Sequence, residues 1–104
     1  MEQECATITK VILPAVRVAI AQTMNNEYGW TQERIAKELG VVQVAVSKYL
    51  NKKYSKEVEK ITENIKNKGI DKIIAKELLE SKSPEEIATF IDSICFDIMS
   101  NMVK

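Results

Sequence analysis

Apolar residues recur every three or four positions along most of the chain, which is the spacing of helices with one buried face. The first stripe runs from about Thr7 to Asn26 and contains Pro14, which predicts a break near Leu13. No two runs of alternating apolar and polar residues flank a hairpin turn. The pattern therefore predicts an all-α protein.

The next two predicted helices are short and closely spaced. Thr31 can cap the first through its hydroxyl, and Gly40 ends it because glycine tolerates a left-handed backbone. A second helix follows over about residues 43–50, so only three residues connect the two. Helices joined this closely cross at a steep angle, and the small Ala36 stands where their backbones meet.

The second half of the chain repeats the helical spacing and predicts two or three further helices. One runs from a cap at Ser55 to Gly69, and another covers about residues 71–80. The segment Ser83-Pro84-Glu85-Glu86 combines an N-cap, a first-turn proline and a capping-box glutamate. It predicts a final helix that extends to about Val103.

The informative motif is TQERIAKELGVVQVAVSKYLN, from Thr31 to Asn51. It resembles the helix-turn-helix of the phage-repressor-like (XRE/Cro-like) transcriptional regulators, which often carry T-Q-x-x-[IL]-A-x-x-[LA]-G-[VI]-[ST]-Q-x-x-[VI]-S-x-[YWI]-[LE]-N. Leu13–Arg17 is similar to an opening found in small archaeal regulators of this class, so the resemblance covers about residues 11–53. It implies a helix-turn-helix bundle and a sequence-specific transcriptional regulator that binds double-stranded DNA and catalyses nothing.

The resemblance also assigns DNA contacts to individual residues. Gln32 matches a phosphate-contacting glutamine at the start of the first motif helix, and Gln43 matches the first position of the recognition helix. There an amide can bond to adenine N6 and N7, and Val44 beside it can touch a thymine methyl. The alternative for Gln43 and the lysines is an ordinary solvated surface. The full set comprises Thr31, Gln32, Gln43, Val44, Ser47, Lys48, Lys52 and Lys53.

Val42 departs from the family pattern, which has Ser or Thr at this position as the cap of the recognition helix. Losing such a cap costs about 1 kcal/mol, which a small domain tolerates.

The distribution of charge matters more than its sum. The chain has 15 basic and 15 acidic residues, and a net charge of zero argues against a polyanionic partner. However, residues 1–56 carry 8 basic and 5 acidic side chains, whereas residues 57–104 carry 7 and 10. A mildly basic first half that contains the motif, joined to an acidic second half, is compatible with DNA binding. This distribution of charge predicts few phosphate contacts and modest non-specific affinity.

The last predicted helix has a broad apolar face, which is typical of a core or of a subunit interface. Because helix-turn-helix proteins usually pair to read two half-sites, we expect a homodimer. Residues 1–54 are then the DNA-binding region, and residues 55–104 serve packing and dimerisation, although one compact unit is also possible. Internal packing against the preceding helix is the alternative for this face. The expected dimer contacts are Ile87, Phe90, Ile91, Ile94, Ile98 and Met102.

The remaining composition excludes several classes of protein. The chain has no histidine, which is the usual general base and metal ligand, and we predict no enzymatic activity, metal or cofactor. The widely separated Cys5 and Cys95 suit a reducing cytoplasm, and no apolar run is long enough for a membrane span. Two alternatives stay open. One is an antitoxin-like or adaptor module that binds another protein, and the other is a thiol- or metal-responsive sensor that uses both cysteines.

Overall fold

The computed structural model describes residues 8–80 and 83–102, in which a π-helical turn, Ile8–Ile12, leads into six α-helices. The helices are α1 (Leu13–Tyr28), α2 (Gln32–Leu39), α3 (Gln43–Leu50), α4 (Lys56–Asn67), α5 (Ile70–Leu79) and α6 (Pro84–Met102). The prediction of an all-α protein is confirmed. Within the described ranges, no helix is both long and apolar enough to cross a bilayer.

The start of α1 accommodates Pro14 without loss of a helical hydrogen bond. This proline lies in the first turn of the helix, where its missing N–H removes no intrahelical hydrogen bond. The π-helical turn ends directly before Leu13, at the position of the predicted break. The helix ends at Gly29, which has a φ of 69° and donates its N–H to the Met24 carbonyl.

Helix α1 forms the centre of the bundle and contacts each of the other five α-helices. Its stretch from Ala15 to Met24 is buried at every position except Arg17, since neighbours cover it on all sides. Helix α1 is therefore the central helix against which the other five α-helices pack.

One hydrophobic cluster extends across both halves of the chain. Ile20 of α1 and Val46 of α3 belong to it together with Ile65 of α4, Ile74 of α5 and Ile91 of α6. The helices after residue 54 therefore share a core with those before it.

Buried polar contacts fix how α5 and α4 lie on α1. Thr23 Oγ1 donates to Asp71 Oδ2 over 2.7 Å, and both residues are buried. The other carboxylate oxygen, Asp71 Oδ1, has no hydrogen-bond partner in the described part of the chain. Thr62 Oγ1 lies 2.7 Å from the Val58 carbonyl and 3.4 Å from the Ala15 carbonyl, which places its hydroxyl between α4 and α1.

The predicted caps of the later helices are present. Ser55 Oγ accepts a hydrogen bond from the Val58 amide at 3.2 Å, and Gly69, with a φ of 72°, separates α4 from α5. At the start of α6, Ser83 Oγ accepts from the Glu86 amide, while Glu86 Oε1 accepts from the Ser83 amide and hydroxyl. This reciprocal pair is a capping box.

Candidate nucleic-acid interface

Helices α2 and α3 are joined by a tight turn whose geometry is fixed by local hydrogen bonds. Thr31 Oγ1 caps α2 by accepting from the Arg34 amide at 3.1 Å. Gly40 ends the helix in a left-handed conformation, with a φ of 68° and a ψ of 34°. Its neighbour Val41 donates its amide to the Ala36 carbonyl at 3.0 Å. The turn and the cap together form a helix-turn-helix, as the sequence predicts.

Helix α3 rests on α1 and α2 with a single fully buried side chain, Val46. Gln43, Val44 and Lys48 are exposed, and Ser47 is half-buried. The helix therefore keeps Val46 in the core, with Tyr49 and Leu50 packed against it, and presents its exposed residues outward, which is the placement that a recognition helix requires.

The predicted contact residues occupy three neighbouring parts of this unit. Thr31 is exposed at the cap of α2, and Gln32 follows it, half-buried, in the first turn. Four residues lie along α3, and the exposed Lys52 and Lys53 follow its last turn. Contact of these eight residues with DNA stays a prediction.

The end of α3 is closed by a Schellman motif with a lysine at its left-handed position. The Lys53 amide donates to the Lys48 carbonyl at 2.9 Å, and the Lys52 amide donates to the Tyr49 carbonyl at 3.4 Å. Lys52 has a φ of 58°, and it is the only non-glycine residue with a positive φ among those described. Glycine or asparagine usually occupies this position, because a Cβ makes the conformation unfavourable.

The chain from the turn to the start of α4 carries charge of one sign. Between Glu38 and Glu57 the sequence has no acidic residue and four lysines, at positions 48, 52, 53 and 56. This stretch covers the turn, the recognition helix and the chain that follows it, so these segments are basic although the whole chain is neutral.

Gln22, which the sequence motif does not include, is a buried glutamine that donates a hydrogen bond to the last turn of α3. Its Nε2 donates to the Tyr49 carbonyl at 3.2 Å and to the Tyr54 hydroxyl at 3.1 Å. Its Oε1 accepts a hydrogen bond from Lys66 Nζ of α4. Gln22 therefore links α1, the last turn of α3, the following loop and α4. The sequence feature that could have indicated this role is a polar residue within the apolar stripe of the first helix.

Arg34 is a second residue that the sequence analysis missed. Its guanidinium lies 3.8 Å from the centroid of the buried Trp30 ring, a cation–π geometry. The Trp30 carbonyl in turn accepts from Asn25 Nδ2 at 2.9 Å. This arrangement holds the guanidinium of Arg34 over the Trp30 ring at the start of α2. The signal was an aromatic residue four positions before an arginine at a helix start.

The apolar face of α6 divides between the core and the surface. Ile87 and Ile91 are buried within the chain, whereas Phe90, Ile94 and Ile98 are half-buried. The side chain of Met102 lies outside the described residues. Part of the predicted dimer face is thus used for internal packing, and its role between subunits stays a prediction.

Cys95 belongs to the buried side of α6. Burial, and secondly the nearby Asp92 carboxylate, raise the pKa of its thiol to about 11, while Arg17 acts in the opposite direction. The thiol is therefore protonated at neutral pH, which disfavours thiolate chemistry at this position. Cys5 lies outside the described residues, and within those described no group of three acidic or cysteine side chains could hold a metal ion.

Comparison with known protein families agrees with this geometry. A family model described as ParB HTH domain matches residues 16–101, from α1 to the end of α6. The chain belongs to the ParB HTH domain family. The ParB-type match makes it a helix-turn-helix DNA-binding domain, but does not extend to the narrower phage-repressor-like family or to an archaeal origin. No curated protein and no solved structure gives a significant match.

Proposed function

We propose that this chain is a sequence-specific transcriptional regulator that reads DNA by placing α3 in the major groove. The exposed face of α3 is the observation that carries the proposal. Gln43 and Lys48 present amide and ammonium groups to solvent, while Val46 of the same helix is buried in the core. Amide and ammonium groups match the donor and acceptor patterns of base edges in the major groove. The resemblance to phage-repressor-like regulators supports the regulatory role.

The flanking residues would fix the position of the protein on the phosphate backbone. At the start of α2, Gln32 and the backbone amides of the first residues are suited to one phosphate, and Arg34 belongs to the same turn. At the far end of α3, Lys52 and Lys53 are exposed where the duplex backbone would pass. These groups orient the helix, and the residues along α3 supply the sequence preference.

We further propose that the protein binds as a homodimer. One recognition helix supplies few base contacts, and a second copy would read a second half-site about one turn of DNA away. Phe90, Ile94 and Ile98 of α6 pack against the core but are only half-buried, and the part of each that stays accessible provides apolar surface for that contact.

DNA binding is tested with duplexes selected from a random library. We expect the double substitution Gln43→Ala and Lys48→Ala to weaken binding to the selected duplex at least about tenfold, since each specific base contact contributes about 1–3 kcal/mol. Binding is measured by fluorescence anisotropy at fixed salt.

The matched control removes an amide and an ammonium from the exposed surface of α4, through Lys60→Ala and Asn64→Ala. This variant should bind like the unmodified protein. Equal losses in the two variants, or failure to select any preferred duplex, would contradict sequence-specific reading by α3.

The dimer is tested separately by analytical ultracentrifugation at micromolar concentration. We expect a species of about twice the 11.8 kDa chain mass, and the substitution Ile94→Lys should convert it to a monomer that melts cooperatively. The control Ile73→Lys changes an exposed isoleucine of α5 and should leave the dimer intact. A monomer in every sample would contradict the dimer and leave the proposal of DNA reading in place.

A further inference from the structure

Helices α5 and α6 form a groove between them, on elements that carry no predicted DNA contact. The groove has a volume of about 730 Å³ and is open to solvent along much of its surface. Its apolar lining comes from Ile74 and Leu78 of α5 and from Ile87 and Phe90 of α6. All the described residues that line it lie on these two helices or directly before α6. The groove is therefore built by different elements from the helix-turn-helix.

The polar part of this lining is acidic. Glu77 of α5 is half-buried at the groove, and Glu85 and Glu86 line it from the first turn of α6. No described lining residue is a lysine or an arginine, and Lys82, which lies between the two helices in the sequence, is outside the described residues. Glu86 is engaged with Ser83 in the capping box. Glu77 and Glu85 are thus the carboxylates that a cationic partner would meet.

Glu77 is not explained by the stability of its own helix. It lies in the last turn of α5, where the helix dipole is negative and disfavours a carboxylate. Its half-burial adds a cost, since a charged group beside apolar side chains loses part of its hydration. Glu85, in the first turn of α6, is by contrast favoured by the dipole. A residue that breaks a local rule in this way is expected where it serves a binding site.

The shape and charge of the groove indicate the class of its ligand. Small-molecule sites enclose most of their ligand, whereas this groove is open, which favours a peptide segment. Lysine and arginine suit it, because their hydrocarbon stems cover apolar surface while their charged ends reach carboxylates. The half-buried Phe90 ring offers a further contact for such a cation. Nucleic acid is disfavoured as the occupant, since the lining carboxylates repel phosphate.

We propose that the groove between α5 and α6 binds a partner protein, through a segment in which a large apolar side chain is flanked by lysine or arginine. The chain's own residues 1–7 do not suit the groove, since they contain two glutamates and no lysine or arginine. Of the half-buried residues proposed for the dimer, only Phe90 lines the groove, so Ile94 and Ile98 remain available to a second copy. The proposal does not depend on DNA reading.

The test selects short random peptides, displayed on phage, for binding to the immobilised full-length chain. We expect the enriched sequences to place lysine or arginine on both sides of a large apolar residue. The most enriched peptide is then labelled with fluorescein and titrated against protein variants by fluorescence anisotropy. A second labelled peptide, with glutamine in place of each lysine and arginine, measures the contribution of the positive charges.

The protein variant Glu77→Gln with Glu85→Gln removes two carboxylates with little change in side-chain volume. We expect binding of the basic peptide to weaken about fivefold, since each partly exposed ion pair contributes modestly. The neutral peptide should bind this variant and the unmodified protein alike, because the charges that interact are then absent from one side. Glu77→Gln alone should not lower the melting temperature, since it removes a charge from the unfavourable end of α5.

The matched control is Glu59→Gln with Glu63→Gln on α4. It removes one carboxylate from the first turn of a helix and a second one turn later, both exposed. The control has the same net charge as the groove variant and should bind the basic peptide like the unmodified protein.

Three results would overturn the proposal. The first is failure of the selection to enrich basic sequences. The second is equal weakening in the groove variant and the control, which would show general attraction to an acidic surface. The third is conversion of a dimer to a monomer by Glu77→Gln with Glu85→Gln, which would assign the groove to a second copy. The groove variant should keep the DNA affinity of the unmodified protein, so DNA reading by α3 is judged separately.

Discussion

At the scale of single residues, Lys52 combines an unfavourable backbone conformation with a side chain that is proposed to contact phosphate. A non-glycine residue in the left-handed region costs about 1–2 kcal/mol, and the structure holds Lys52 there through the Schellman hydrogen bonds at the end of α3. Glycine would form the same turn with less strain. The presence of lysine is understandable if its ammonium serves the proposed phosphate contact.

We expect Lys52→Gly to have opposite effects on folding and on binding. The free energy of unfolding should rise by about 0.5–1 kcal/mol, which is the strain relieved less the extra chain entropy of glycine. DNA affinity should fall, because one phosphate contact is lost. Urea unfolding and anisotropy titrations measure the two quantities.

Lys53→Gly is the matched control, since it removes the same charge from the next residue, whose φ is not positive. It should weaken DNA binding without stabilising the fold. If Lys52→Gly stabilises the protein and leaves binding unchanged, Lys52 does not contact the phosphate backbone.

Cys95 illustrates a residue whose reactivity is set by its surroundings. With its pKa raised from 9.0 to about 11, the thiolate fraction at neutral pH falls about 100-fold. In a Cys5→Ser variant, which leaves Cys95 as the only thiol, Ellman's reagent should therefore react at least about 100-fold more slowly with folded than with urea-unfolded protein.

An accessible cysteine on the same helix provides the comparison. Adding Ala88→Cys to a Cys5→Ser, Cys95→Ala background places a thiol at an exposed position of α6. That thiol should react rapidly in the folded protein. Fast reaction of Cys95 itself would contradict its protonated, buried state and favour the alternative of a thiol sensor.

At the scale of helices, Gln22 connects α1 to the last turn of α3. The Tyr49 carbonyl accepts hydrogen bonds from both Gln22 Nε2 and the Lys52 amide, so one backbone oxygen connects the interior of α1 to the end of the recognition helix. Gln22 is 7% exposed, so its amide lies largely away from solvent. An unsatisfied buried polar group costs about 1–3 kcal/mol.

Replacing Gln22 with methionine keeps the side-chain volume and removes these hydrogen bonds. We expect the free energy of unfolding to fall by about 1–2 kcal/mol and specific DNA binding to weaken, because the end of α3 loses its support. Chemical denaturation and duplex titration measure the two effects. Lys66→Met removes one of the three hydrogen bonds of Gln22, the one from the exposed lysine, and should lower the free energy of unfolding by less than Gln22→Met does. If the two variants behave alike, Gln22 does not orient α3.

Sequence patterns predicted the helices well because each depends on neighbouring residues. The cap at Thr31, the left-handed Gly40 and the break before Pro14 follow from backbone chemistry within a few positions. The contact between Gln22 and Lys66 joins residues 44 positions apart, and no local pattern encodes such a pairing. Similarly, the broad stripe of α6 did not reveal which isoleucines face the core, since that depends on where α1 and α5 lie.

At the scale of the whole molecule, the neutral total charge conceals a basic recognition surface. In the proposed homodimer, each chain would present Lys52 and Lys53 to the phosphate backbone. Since each phosphate contact contributes about −0.9 to the slope of log K against log salt concentration, the two chains together should give a slope of about −4. Titrations at four potassium chloride concentrations measure it.

Lys53→Ala should reduce the magnitude of that slope by about 2 for the dimer, whereas Lys60→Ala on α4 should leave it unchanged. A slope near −10 would show many more phosphate contacts than this surface provides. Such a slope would contradict the modest non-specific affinity for DNA that the charge distribution predicts.

The helices before and after residue 54 share one hydrophobic core, and this limits how the protein could be engineered. A peptide of residues 1–54 would carry every predicted DNA contact, but it would leave Ile20 without the apolar cluster completed by Ile65 and Ile74. Gln22 would also lose Lys66. Residues 1–54 are therefore not expected to fold when they are transferred alone to another protein. A change of DNA specificity calls for new side chains on the outer face of α3 within the intact chain, and a chimera joined at residue 54 should not fold.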